Sequence, residues 1–173
     1  MQFCKVINRL MLLFVVIFLS SCARILPLDY SDYKGKDAAK IVVQNLKGNV
    51  GTIYLSEYAQ TDKCYDMTSR YQLVSNFFTS KGMVLEHTVK PGGLMLLQQI
   101  ITKDTYYTTY WTSFIPEAGK RYFISSGLGV TEIPEDKLIL ATASPEAILK
   151  QYGARKVKTW DVHQRCTHYF DYS

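Results

Sequence analysis

The chain has 173 residues, 47% of them hydrophobic and 20% charged, with 20 Lys and Arg against 15 Asp and Glu, a formal charge of +5 and four cysteines. This composition excludes a disordered tail, a collagen-like repeat and a multi-pass membrane protein, and leaves a globular chain of one domain. The positive balance would point to nucleic acid only if it belonged to the folded part.

The N-terminus does not read as folded domain. Residues 1–9 carry Lys5 and Arg9 and no acid, and Leu10 to Leu19 is unbroken apolar sequence. Ten helical residues span roughly 15 Å, half of a hydrocarbon core of about 30 Å, which suits a signal-peptide core and is too short for a transmembrane anchor. Leu19-Ser20-Ser21-Cys22 comes next. This string resembles the bacterial lipobox, an aliphatic residue, two small residues and a cysteine. The resemblance implies cleavage before Cys22 and acylation of Cys22, first on sulfur and then on the new amino group. One acyl chain binds a bilayer only marginally at about 0.8 kcal/mol per buried CH₂, whereas two or three anchor it stably. Ala23 stands where an Asp commonly retains such lipoproteins in the inner membrane, so the expected address is the periplasmic face of the outer membrane.

Without residues 1–21 the 20 basic residues become 18 against 15 acidic ones, a net charge of +3. That balance reads as a solvated surface, and no nucleic-acid partner is expected outside the cytoplasm. With Cys4 in the leader and Cys22 lipidated, Cys64 and Cys166 remain. In an oxidising compartment they are expected to form a disulfide closing a loop of about 100 residues, for which chain entropy gives roughly 4 to 5 kcal/mol. A metal site at His163, Cys166 and His168 is the competing reading, but the spacing matches no zinc-finger or metalloprotease pattern. No metal and no cofactor is assigned.

Residues 22–37 mix Pro, Gly, Ser and charges without period and read as a tether to a domain over 38–173. From Lys40 onward the predicted strands are KIVVQN, VGTIYLSEY, RYQLVSNFF, GMVLEHTVK, LMLLQQIIT, YYTTYWTSF, RYFISS and KLILAT, separated by hairpin-length turns rich in Gly, Pro, Asn and Asp. Short strands in such number predict a mainly β fold, an antiparallel sandwich or small barrel. Ser144-Pro145-Glu146 supplies an N-cap, a proline at the first helical position and an acid in the first turn, and Gly153 a stop, so one short C-terminal helix is predicted between them. A last extended segment, RKVKTWDVHQRC, completes the chain's readable elements.

Val89-Lys90-Pro91-Gly92 and then Phe114-Ile115-Pro116-Glu117-Ala118-Gly119-Lys120-Arg121-Tyr122 resemble the hairpin pattern of small transthyretin-like or PEGA-like β-sandwich lipoproteins of bacterial envelopes. The similarity covers roughly residues 38–126 and implies a transthyretin-like sandwich without an implied activity. Residues 130–173 depart from it.

No catalytic motif stands out. Ser125-Ser126-Gly127-Leu128-Gly129 lacks the order of a Gly-x-Ser-x-Gly elbow, and Gly127-x-Gly129 has no βαβ unit around it. His87 shares a strand face with Met83, Leu85 and Val89 and reads as a hydrogen-bonded core residue. In YYTTYWTSF, Tyr106, Tyr110 and Phe114 share one face and Tyr107 and Trp111 the other. A sandwich strand buries one face, so Tyr107 and Trp111 are a possible binding surface unless the tail, with Trp160 or Tyr169, packs over it. The expected role is non-enzymatic, a binding or scaffolding module that meets an envelope protein partner while held to the membrane by the lipid on Cys22. A small hydrolase using His87 or the His163/His168 pair, and a glycan-binding module using Tyr107 and Trp111, are the alternatives.

Overall fold

The computed structural model describes residues 27–45, 51–74, 82–103, 105–125, 127–153 and 157–167. Its strands in chain order are β1 (Leu28–Asp29), β2 (Ala39–Gln44), β3 (Gly51–Gln60), β4 (Tyr65–Val74), β5 (Val84–Val89), β6 (Leu94–Lys103), β7 (Tyr106–Phe114), β8 (Arg121–Ser125) and β9 (Gly129–Ile133). They form a five-stranded sheet, β1-β4-β3-β6-β7, and a four-stranded sheet, β5-β2-β8-β9. Alternate residues of the two sheets meet in one core: Ile41 and Val43 of β2, Val89 of β5, and Tyr122 and Ile124 of β8 against Ile53 and Leu55 of β3, Met95 and Leu97 of β6, and Phe114 of β7. The fold is mainly β, with two facing sheets and one short helix.

The sheets are mixed where the sequence led to an antiparallel expectation. β2 pairs in parallel with β8, and β1 with β4. Both β2 and β8 enter the four-stranded sheet from the same end, β8 after the chain has passed through the other sheet, and a connection of that length removes the hairpin constraint that favours antiparallel neighbours. The Pro91-Gly92 and Ala118-Gly119 turns, which look like hairpin turns in sequence, each carry the chain from the five-stranded sheet to the four-stranded one or back. The two crossings dock on one another, the Gly92 N–H donating to the Pro116 carbonyl at 2.7 Å.

Ile41-Val42-Val43 and Tyr122-Phe123-Ile124 are apolar without alternation because their sheet is covered on both faces. Val42 and Phe123 point away from the other sheet and pack with Ile133, Ile139 and Ile148 in a second core. Ile148 belongs to α1 (Pro145–Tyr152), which Ser144 caps by accepting from the Ala147 N–H, and Leu149 and Tyr152 pack on the same cluster. The predicted strand KLILAT does not form. The Arg121 guanidinium donates to the carbonyls of Pro134 and Lys137 and draws this stretch into turns across the sheet face. Only Ile139 then points inward, while Leu138 and Leu140 are 74% and 56% exposed. The strand that borders β8 is instead Gly129–Ile133, too short and glycine-flanked to announce itself.

The tail crosses the outer face of the five-stranded sheet and covers the part around Tyr58, Met95 and Ser113. The Ile115 N–H donates to the Lys158 carbonyl at 2.8 Å, Trp160 Nε1–H to the Met95 carbonyl at 2.9 Å and Ser113 Oγ–H to the Trp160 carbonyl at 2.8 Å. The Trp160 ring lies against Tyr58 and Tyr65. After a turn of 3₁₀ helix at Val162–Gln164, the Cys166 N–H donates to the Tyr65 carbonyl, and Cys166 is disulfide-paired with Cys64, Cα to Cα 5.0 Å. The Cys64→Ser/Cys166→Ser double variant is expected to lose about 2–5 kcal/mol of stability in urea unfolding of the full chain, and an unchanged midpoint would contradict a structural role for this link.

Candidate functional site

Cys22, His168 and Tyr169 lie outside the described residues. Of the other residues singled out in the sequence, Cys64 and Cys166 meet, but the histidines do not converge. His87 is on the edge strand β5 of the four-stranded sheet, whereas His163 is in the tail across the far face of the other sheet. Among the described residues no group of three or more His, Cys, Asp and Glu side chains could hold a metal. Tyr107 is 52% exposed at the start of β7. Trp111, on the same face, is half-buried with the Arg165 guanidinium 4.7 Å above its ring. The two therefore do not form a continuous open row, and the covering segment does carry Trp160.

His87 sits in a clasp that closes one edge of the sandwich. Residues 27–37, expected as tether, run from Pro27 onward along the domain, so the folded part starts earlier than residue 38. Within this strap Leu28 pairs with Tyr71, Tyr30 Oη–H donates to the Thr88 carbonyl at 2.6 Å, and the Tyr33 N–H donates to the same carbonyl at 3.0 Å. The Asp32 carboxylate accepts from the Thr88 N–H at 3.0 Å and from His87 Nδ1–H at 3.1 Å. Tyr30 meets the rings of Tyr71 and His87 edge-on, both at 5.3 Å between centroids, and so links β4 of one sheet to β5, an edge strand of the other. Burial, with the Asp32 and Glu57 carboxylates nearby, holds the Tyr30 hydroxyl well above its ordinary pKa, so it stays a donor at all ordinary pH. Burial likewise raises the carboxyl of Glu57, against the opposing charge of Lys90. Asp, His and Tyr in contact can suggest proton transfer, but here each group is committed to holding the strap.

At the opposite end from the Pro-Gly crossing, the sandwich opens into a cavity of about 620 Å³. Its walls include Gln44 at the end of β2, Ile101 of β6, Tyr110 of β7, Leu128 between β8 and β9, and Thr142 and Glu146 at the entrance to α1. The size lies within the range of small-molecule sites. Two glycines shape it. A Cβ at Gly127, whose φ is +79°, would stand 2.4 Å from the Tyr110 ring, and one at Gly82 2.4 Å from the Ala141 carbonyl oxygen. Gln44 Nε2–H donates to the carbonyls of Ala143 at 3.1 Å and Ala141 at 3.4 Å, fixing the loop that forms one wall. Its own Oε1 is buried with no donor among the described residues. Below, Gln99 Nε2–H donates to Asn45 Oδ1 between the two sheets.

Sequence reasoning missed this cavity because its described walls come from six separated segments that only the sheet packing assembles. One signal was present: β2 ends in Gln44-Asn45 and β6 carries Gln98-Gln99, pairs of amides in otherwise apolar strands. A buried amide run has to be paired, and that marks a place where the core changes character.

The chain matches no family model, no curated protein and no solved structure. Its function has to be read from its own residues.

Replacing Asp32 by Ala removes the acceptor of the Thr88 N–H, and a hydrogen bond to a charged group is worth about 1.5–3 kcal/mol. Amide exchange at Thr88 and Tyr33 is expected to speed up on the order of tenfold while β8 amides stay unchanged. Equal protection in both proteins would show that the strap is held without this carboxylate.

Proposed function

We propose that the protein is a lipid-anchored lipoprotein of the bacterial cell envelope, cut before Cys22 and held at the periplasmic face of the outer membrane, with a non-enzymatic binding or scaffolding domain. The observation that carries this reading is the pairing of Cys64 with Cys166 across 102 residues of sequence. A disulfide that closes so long a loop is useful where the surroundings are oxidising, and that is the side of the membrane to which the leader and Leu19-Ser20-Ser21-Cys22 direct the chain. The two-sheet fold is compatible with the resemblance to transthyretin-like or PEGA-like lipoproteins, whose Pro-Gly and Ala-Gly turns here serve as crossings between sheets.

The strap sharpens the anchoring. Five backbone steps separate Cys22 from Pro27, at most about 18 Å at full extension. An acylated Cys22 therefore keeps the domain close to the bilayer, with the strapped edge nearest the lipid. The open end of the sandwich, where Tyr106, Tyr107 and Leu128 are exposed, is the proposed contact surface for an envelope protein.

Mass spectrometry of the protein recovered from membranes tests the anchor. The expected N-terminal peptide begins at Cys22 and carries diacylglyceryl and acyl mass, and Cys22→Ala abolishes both the cut and the acylation. An unmodified N-terminus, or cleavage at another residue, overturns the proposal.

A further inference from the structure

The wall of the cavity holds a buried acceptor that no described residue meets. Gln44, at the end of β2, lines the cavity and is 1% exposed. Its amide is oriented by what stands beside it, because only the NH₂ end can meet two carbonyls. Nε2–H donates to those of Ala143 and Ala141, which are thereby satisfied, and Oε1 is left without a donor. Ser125, the register neighbour of Gln44 on β8, is fully buried as well, and its Oγ also lacks a partner among the described residues. A buried polar atom left unpaired is costly, so two of them side by side at a cavity mark a place for a polar group from outside. Around it the lining is apolar, with Ile101, Leu128 and the Tyr110 ring.

We infer that this cavity is a binding site for a small neutral alcohol or phenol, its hydroxyl at Gln44 and its apolar body against Tyr110, Ile101 and Leu128. A hydroxyl suits the place because it donates and accepts at once. Its O–H supplies the donor that Gln44 Oε1 lacks, and its oxygen is an acceptor for Ser125 Oγ–H. The head is neutral because an ion at this depth would exchange its hydration for one amide oxygen and one hydroxyl. The volume of about 620 Å³ accommodates such a molecule. The loop bonds of Gln44 Nε2 hold the amide in place before the ligand arrives, which lowers the cost of binding. This inference is independent of the anchor on Cys22 and concerns the domain alone.

The test uses the full chain in nanodiscs and two isomeric probes, 4-phenylbutanol and 3-phenylpropyl methyl ether, which have the same formula but only one of which can donate. Partition into empty nanodiscs corrects the free concentration of each. Protein NMR follows the Gln44 side-chain amide and the Leu128 backbone amide during titration. Both signals are expected to shift saturably, and the alcohol to bind about tenfold more tightly than the ether, a difference of ~1.4 kcal/mol. Gln44→Met removes the acceptor and is expected to bring the two probes to equal affinity, read at Leu128. Thr142→Trp places an indole at an exposed lining position, is expected to weaken both probes, and decides the case if Gln44→Met fails to fold. The inference is overturned if neither probe shifts these signals saturably at millimolar concentration, or if the ether binds the unaltered chain as tightly as the alcohol. It is also overturned if folded Gln44→Met keeps the preference, or if Thr142→Trp leaves binding unchanged. A chain that proves unlipidated but binds the alcohol as described would overturn the anchoring proposal and leave this one standing.

Discussion

Val42 and Phe123 face away from the sandwich interior and yet are 1% and 0% exposed. A β-sandwich whose outer faces were solvated would place polar side chains there, and aliphatic and aromatic ones would stay in water at a cost of about 25 cal/mol per Å². The outward Val42 and Phe123 therefore demand a cover. Ile139 and α1 provide it, and Ile148 is the residue through which the helix meets them. The same demand exists on the other sheet, where the outward Leu96 is fully buried and the tail carrying Trp160 crosses the outer face. The C-terminal third thus wraps a sandwich that is incomplete without it, first over one face and then over the other.

The two ends of the sandwich are consequently unlike. One is closed by the paired crossings at Gly92 and Pro116 and braced by Lys120, which bonds to Glu117 and Glu132 and lowers the carboxyl pKa of Glu117 together with Lys158. That network lies in water and fixes geometry more than it adds stability. The other end carries the cavity, exposed Tyr106 and Tyr107, and a wall made by the loop that Gln44 holds. Binding at that end would leave the wrapped faces and the strapped edge undisturbed, which is consistent with a rigid module that presents one end to its surroundings.

Much of the framework was legible from local chemistry. Strands with β-branched and aromatic residues and the Ser144-Pro145 helix start follow from rules that act over a few residues, and the pairing of Cys64 with Cys166 from the small number of cysteines. Features decided by distant contacts were not. KLILAT has the composition of a strand, but Arg121 binds the backbone carbonyls on its N-terminal side and turns it into a cover. Residues 27–37 look like a linker because their apolar content is low, yet Tyr30 and Asp32 carry them onto the β5 edge through specific hydrogen bonds. His87 was legible as a held residue, though its partner Asp32 was not, being 55 positions away. The cavity had no local signature beyond the amide pairs, since no single segment forms it.

The wrapping account stands or falls on whether α1 is part of the cooperative core. Equilibrium urea unfolding of Ile148→Ala, with Leu138→Ala as the exposed neighbour for comparison, measures this directly. The account predicts a loss of about 2–5 kcal/mol for Ile148→Ala and a change within about 0.5 kcal/mol for Leu138→Ala, both in a single transition. If Ile148→Ala is as mild as Leu138→Ala, or if the helix melts in a separate earlier transition that leaves the sandwich intact, the helix is an appendage and the account is wrong.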